Sequence, residues 1–272
     1  MEQDLRFCTT SDGVRIAYAT VGSGPPLVYV CGWPQQLDLE WDTPFSRAFL
    51  EELAEGFTLV RYDMRGGGLS DRNVPEVSAE ASAGDLAAVV DHLQLERFDV
   101  VSFGLLAGPI AMIYAAQHPE RVSHLVLCAP FLDGSKIITP ERRRALVEYA
   151  RNFGFPFNDI VTEPFLSRDE ISQVRHHQLA AAAPDMQARL LEALFSANVE
   201  AIAPQVTSPT LVVHARQDPY IPFDLGREVA LRLPNADFLP FESATPAIWD
   251  QRTVVIPELR RFVGAEAEES AK

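Results

Sequence analysis

Phe98-Asp-Val-Val-Ser-Phe-Gly-Leu-Leu-Ala-Gly-Pro-Ile-Ala-Met-Ile-Tyr-Ala-Ala-Gln-His-Pro-Glu-Arg-Val122 decides the fold. It opens on a short apolar run of buried-strand type, Phe98–Val101. A small-residue turn follows, with Gly104, Leu105 and Leu106 at its apex. The next stretch is Ala-rich and apolar, and it closes at His118-Pro119, where proline stops a helix. Strand, tight turn and buried helix are thus packed into one contiguous segment.

Working outward, strand-like and helix-like stretches alternate. Asp12-Gly13 reads as a hairpin turn between Arg6–Thr9 and Val14–Thr20. Pro26–Cys31 and Phe57–Tyr62 are short buried-strand runs, with a helix pattern over Phe45–Leu53 between them. A helix over Ala79–Leu93 precedes the opening segment, and the strand Val122–Cys128 follows it. Farther on come a strand at Thr210–His214, a helix near Asp224–Leu233, a strand at Ala236–Phe241 and a helix over Val254–Val263. Such alternation implies an α/β fold, a mostly parallel central sheet with helices on both faces.

One excursion breaks the alternation with helices alone. Thr139-Pro140-Glu141 places an N-cap before proline at the first helical position, and Ser167-Arg-Asp-Glu170 reads as a capping box. Asp185–Ala197 carries Met186, Leu190, Leu191 and Leu194 at helical spacing. A helical insert between two strands reads as a lid over the strand ends, where α/β sheets place ligands. The expected division is a core of residues 1–129 and 206–264, a lid of 130–205, and a disordered acidic tail, 265–272.

Bulk properties exclude several partners. The 272 residues carry 23 Lys and Arg against 38 Asp and Glu, a net charge of −15. No Lys/Arg run offers a phosphate footprint, so neither nucleic acid nor an anionic membrane is an expected partner. Cys8, Cys31 and Cys128 are too few and too scattered for a disulfide framework or a metal site. No signal peptide is visible at the N-terminus and no apolar run approaches a membrane span, so a cytoplasmic protein is expected. No cofactor is implied, and a homodimer stays open.

Five motifs in order carry a family resemblance: Ser11-Asp-Gly-Val-Arg-Ile-Ala-Tyr18, Gly32-Trp33-Pro34, Arg61-Tyr-Asp-Met-Arg-Gly-Gly-Gly-Leu-Ser-Asp71, His118-Pro-Glu-Arg-Val122 and His214-Ala-Arg-Gln-Asp-Pro-Tyr-Ile-Pro222. From about Arg6 to Val263 the chain resembles the α/β-hydrolase superfamily, most of all bacterial members found alone or attached to regulator and adenylyl-cyclase domains. That resemblance implies a Ser on the Gly-x-Ser-x-Gly elbow, an acid after the next-to-last core strand and a His after the last. Counted back from His118-Pro119, the Ser position falls on Leu105; counted forward from Arg97-Phe98, it falls on Gly104. The acid position matches Asp218. The His position falls on Pro246 or its neighbours, and no histidine follows His214. The triad is therefore degenerate.

Substitutes are few. Ser102 would serve as nucleophile only in a slipped turn, and it lacks a general base. Cys31 would serve only as a thiolate with a lowered pKa. His176 and His177 point about 100° apart on a helix, so one at most faces the pocket, and His177 is the candidate. His118 and His214 match positions that serve packing and turns.

What remains is a pocket. Amides near Leu106 and Ala107, facing those of Gly32 and Trp33, are expected to bind a carbonyl or enolate oxygen. Asp218, without an imidazole partner, is expected to have a raised pKa suited to acid/base work, or else to cap nearby amides. Leu105, Leu106, Trp33, Pro246 and Tyr220, with the lid residues Phe153, Phe155, Phe157 and Phe165, predict a site for a small hydrophobic, polyketide-like molecule. The favoured activity is non-hydrolytic: a cyclase, isomerase or lyase. The alternatives are a ligand-binding or regulatory pseudoenzyme, and a hydrolase relocated to Ser102 or Cys31.

Overall fold

The computed structural model describes residues 1–154, 168–243 and 255–269. Eight strands form one sheet: β1 (Asp4–Thr9), β2 (Arg15–Gly22), β3 (Pro26–Cys31), β4 (Thr58–Tyr62), β5 (Phe98–Phe103), β6 (Val122–Cys128), β7 (Thr210–Ala215) and β8 (Ala236–Phe241). Their order is β1-β2-β4-β3-β5-β6-β7-β8. β2 pairs antiparallel with both β1 and β4, and every other pairing is parallel. The central strand β5 is buried at all six positions, as a strand covered on both faces must be.

The helices are α1 (Leu37–Asp42), α2 (Pro44–Leu53), α3 (Ala79–His92), α4 (Ala107–Gln117), α5 (Pro140–Phe153), α6 (Arg168–Ala181), α7 (Pro184–Ser196), α8 (Phe223–Arg232) and α9 (Val255–Glu269). Two apolar cores show how they divide. Leu86, Val89, Ile110 and Val229, from α3, α4 and α8, pack on one face of the sheet with Val28 and Leu127. Phe49, Leu53, Leu259 and Val263, from α2 and α9, pack on the other with Leu27, Val101 and Val126. The α/β-hydrolase architecture expected from the sequence, helices on both faces of a mostly parallel sheet, is what the chain forms.

Differences lie at the boundaries. β5 runs two residues past Val101 and takes Ser102 and Phe103 into the ladder. The short helix α1 was not anticipated, and α9 continues past Val263 to Glu269. Thr139 does cap α5, accepting from the Arg142 amide. Ser167, the proposed cap of α6, lies outside the described residues.

Helices α5 to α7 lie between β6 and β7 in the chain, and both α6 and α7 are fastened to the loop that follows β4. The Gly68 amide donates to the Ala181 carbonyl at 2.8 Å. Arg189 reaches the Val74 and Pro75 carbonyls at 3.0 Å each. Beneath that loop, Arg65 is 1 % exposed and its guanidinium meets Asp85 of α3, 0 % exposed, at 2.8 Å. It also meets Asp12 at 2.8 Å.

Candidate functional site

β5 delivers the chain to Gly104, whose φ is +80°, and α4 starts at Ala107. Gly104 is exposed although Phe103, Leu105 and Leu106 around it are buried. A Cβ built there meets nothing within 4 Å. Only glycine enters this left-handed region without strain, so Gly104, not Leu105, forms the apex of the turn. Leu105 and Leu106 join the core cluster that holds Trp33, Met186, Leu190 and Ile221.

Gly32 lies hard against this turn. A Cβ on it would stand 2.2 Å from the Ala107 nitrogen and 2.4 Å from both the Gly104 oxygen and the Leu106 nitrogen. That contact redirects the amides. Leu106 donates to the Gly32 carbonyl at 3.4 Å, Ala107 to the Gly104 carbonyl at 2.9 Å, and Gly32 to the Phe103 carbonyl at 3.0 Å. The Trp33 amide interacts with the Cys31 sulfur. The four amides expected to face a ligand oxygen are therefore engaged within the turn and its neighbouring loop, which corrects that expectation. Among the described residues, the Gly104 and Leu105 amides have no acceptor.

The substitute nucleophiles are poorly placed. Ser102 is 0 % exposed, and its hydroxyl donates to the Val126 carbonyl at 3.3 Å. Burial pushes the Cys31 thiol up to about 12, and the carboxyls of Glu40 and Asp63 add to the effect, so no thiolate forms near neutrality.

Asp218 caps two backbone amides. Its Oδ1 accepts from the Tyr220 amide at 2.8 Å and the Ile221 amide at 2.9 Å. Its Oδ2 is buried without a partner. Burial raises the carboxyl pKa, opposed by those two amides and by His214. Tyr220 is half-buried beside it, its phenol raised by burial and by the carboxyl.

The residues expected in a lid divide. His177 is half-buried, with Nδ1 3.3 Å from the Thr43 hydroxyl. Because that hydroxyl donates to Leu39, the imidazole is the donor, and it sets α6 against the α1–α2 corner. His176 is exposed. Phe153 is 65 % exposed beside Tyr149, so it does not line a pocket, contrary to expectation. Phe155, Phe157, Phe165 and Pro246 lie outside the described residues.

Asp63 was missed. Buried at the end of β4, it accepts from Leu69 at 2.8 Å and Leu37 at 3.3 Å through Oδ2, while Oδ1 has no partner. It thereby joins the segment after β3 to the loop that holds α6 and α7. Burial pushes its carboxyl up to about 8. A carboxyl raised in the folded state contributes stability below its unfolded value and loses it as pH rises through the folded one. Melting temperature should therefore fall between about pH 4 and pH 8. Glu40 and Asp218 have raised carboxyls too, so the comparison that isolates Asp63 is Asp63→Asn, whose curve should be flatter. Parallel curves would mean that Asp63 stays ionised.

Among the described residues no cluster of His, Cys, Asp and Glu could hold a metal, and no helix is long and apolar enough to cross a membrane.

Comparison with known proteins agrees with this architecture. A family model described as the alpha/beta hydrolase fold matches residues 25–162. The chain is 27% identical to a non-heme chloroperoxidase of Streptomyces lividans, over 94% of this chain and 98% of that protein. It is 28% identical to a pimeloyl-[acyl-carrier protein] methyl ester esterase of Chromobacterium violaceum, over 84% and 89%. Among solved structures, an esterase from Exiguobacterium antarcticum superposes with a TM-score of 0.83 at 23% identity, covering 94% of this chain and 98% of the other. With the strand order, the glycine elbow and the acid after β7, this match leaves one assignment: the chain belongs to the alpha/beta hydrolase fold family.

Proposed function

We propose that this chain has a degenerate catalytic triad and handles a small, hydrophobic, carbonyl-containing molecule without forming a covalent acyl-enzyme. The observation that carries the reading is Gly104: the residue at the elbow apex has no side chain, and the space where one would stand is open. The free amides of Gly104 and Leu105 supply donors for a ligand oxygen. Asp218 supplies a carboxyl of raised pKa, suited to move a proton in an isomerase, cyclase or lyase reaction. Residues 130–205 act as the lid. The motifs further suggest kinship with the bacterial regulator- and cyclase-associated members.

A second reading, a binding protein without turnover, is favoured by one feature: Asp218 Oδ2 is enclosed rather than open to solvent.

A fluorophosphonate probe followed by mass spectrometry tests the shared part. No adduct is expected; labelling of Ser102 or of any other serine would restore hydrolase chemistry and end the proposal. Asp218→Asn then separates the two readings. Turnover lost with ligand affinity retained supports proton transfer by Asp218, whereas ligand-dependent thermal stabilisation with no product in either protein supports binding alone.

A further inference from the structure

The end of β7 and the loop that leads from it to α8 contain a second built feature. His214 is 0 % exposed, and its Nε2 lies 3.0 Å from the Ile221 carbonyl. The carbonyl accepts, so Nε2 carries the proton and Nδ1 is bare. Nδ1 is buried without a partner and faces Gly226 on α8, where a Cβ would stand only 1.9 Å from it. The Phe223 ring lies edge-on, with centroids 5.7 Å apart. The imidazole is thus held on both sides in one orientation.

Ile221 is the shared element. Its carbonyl is held by His214 and its amide by Asp218 Oδ1, which also takes the Tyr220 amide. The turn from Asp218 to Ile221 is pinned at both ends, one pin a neutral imidazole inside the core and the other the carboxyl itself. We propose that His214 is a positioning residue for Asp218: through the Ile221 backbone it holds the carboxyl in the enclosed position that leaves Oδ2 unpartnered. This deepens the reading of Asp218 given above, but its test reads the carboxyl directly and needs no substrate.

Removing the imidazole donor frees the Ile221 carbonyl, and the turn relaxes toward water. Asp218 then gains hydration, and its pKa falls toward the ordinary carboxylate value of about 3.9, because burial is the largest influence on it and the opposing influence of His214, lost with the imidazole, is the smallest. Among the described residues, the titratable groups set against Asp218 are His214 and Tyr220. Glu242 of the loop after β8 is engaged by Arg216 and Gln217.

The experiment is a carbon-13 NMR titration of Asp carboxyls, with the Asp218 signal assigned by its loss in Asp218→Asn. His214→Phe should lower the Asp218 midpoint by about one pH unit or more, while His214→Gln, which keeps a side-chain N–H, should stay near wild type. Should His214→Phe fail to fold, Gly226→Ala provides the second route. Its methyl group pushes the ring off Ile221 and should lower the midpoint likewise. An Asp218 midpoint unchanged in His214→Phe, or in Gly226→Ala where His214→Phe does not fold, would overturn the proposal. So would a midpoint that falls as far in His214→Gln as in His214→Phe, because the donor would then not matter. Neither result bears on the fluorophosphonate test, so this inference and the reading it rests on can fail separately.

Discussion

Gly32→Ala should lower the melting temperature by roughly 10 °C and abolish any ligand response of the elbow amides. The new methyl group would meet backbone on three sides: Ala107 nitrogen at 2.2 Å, Gly104 oxygen at 2.4 Å and Leu106 nitrogen at 2.4 Å. None of these atoms belongs to a flexible side chain, so relief requires that the loop after β3 move away from the start of α4. Overpacking of this kind costs about 3 kcal/mol when backbone must shift, which in a domain of this size is a fall of roughly 10 °C. Moving the loop also breaks the Leu106-to-Gly32 and Gly32-to-Phe103 hydrogen bonds, and the turn loses its lock. Thermal unfolding measures the first effect, and amide chemical shifts of Gly104 and Leu105 under ligand titration measure the second. A variant that melts like wild type would mean that the loop does not press on the elbow.

Asp85→Ala should cost about 3–5 kcal/mol, because it leaves the Arg65 guanidinium buried with Asp12 as its one remaining carboxylate. Burial pushes Asp85 up to about 6 against the pull of Arg65, so the pair is charged at neutral pH. The carboxylate also accepts from the Arg65 amide at 3.0 Å, and the loop that holds α6 through Gly68 loses that anchor too. Chemical denaturation gives the loss directly. The double replacement Arg65→Met with Asp85→Leu should recover most of it, since a buried ion pair exchanged whole for apolar groups is often neutral. If the double variant were as unstable as Asp85→Ala, apolar packing could not stand in for the pair, and uncompensated charge would not explain the single loss.

Much of the architecture was legible because parallel strands covered on both faces leave short, dense apolar runs. Phe98–Val101 and Thr210–His214 announce themselves in that way. The elbow was legible only to within one residue. Counting from the helix end gave Leu105 and counting from the strand gave Gly104; backbone dihedrals, which sequence does not carry, decide for Gly104. Donor directions were misread because they depend on how closely Gly32 approaches α4, a distance set by tertiary packing. Phe153 was misplaced for a related reason: helical spacing marks a shared face without saying what covers it. Asp63 could have been suspected from its place in Arg61-Tyr-Asp-Met-Arg65, but its raised carboxyl depends on burial, which the amides of Leu69 and Leu37 only partly oppose. Asp218 was placed after β7 from its motif, and what sequence does not carry is its two amide contacts to Tyr220 and Ile221.

The left-handed conformation at Gly104 has a consequence for how this protein could evolve. Any L side chain at that φ strains the turn by about 1–2 kcal/mol, whereas glycine adopts it freely. An elbow bearing a nucleophile works as a bent spring, its reactive geometry maintained by the rest of the fold. Here the spring is slack, and the stability otherwise absorbed by the bend is available to the whole molecule. Serine at 104 would begin with a thermal penalty, felt in full whatever its hydroxyl could do. Glycine at this position is thus easier to keep than to replace.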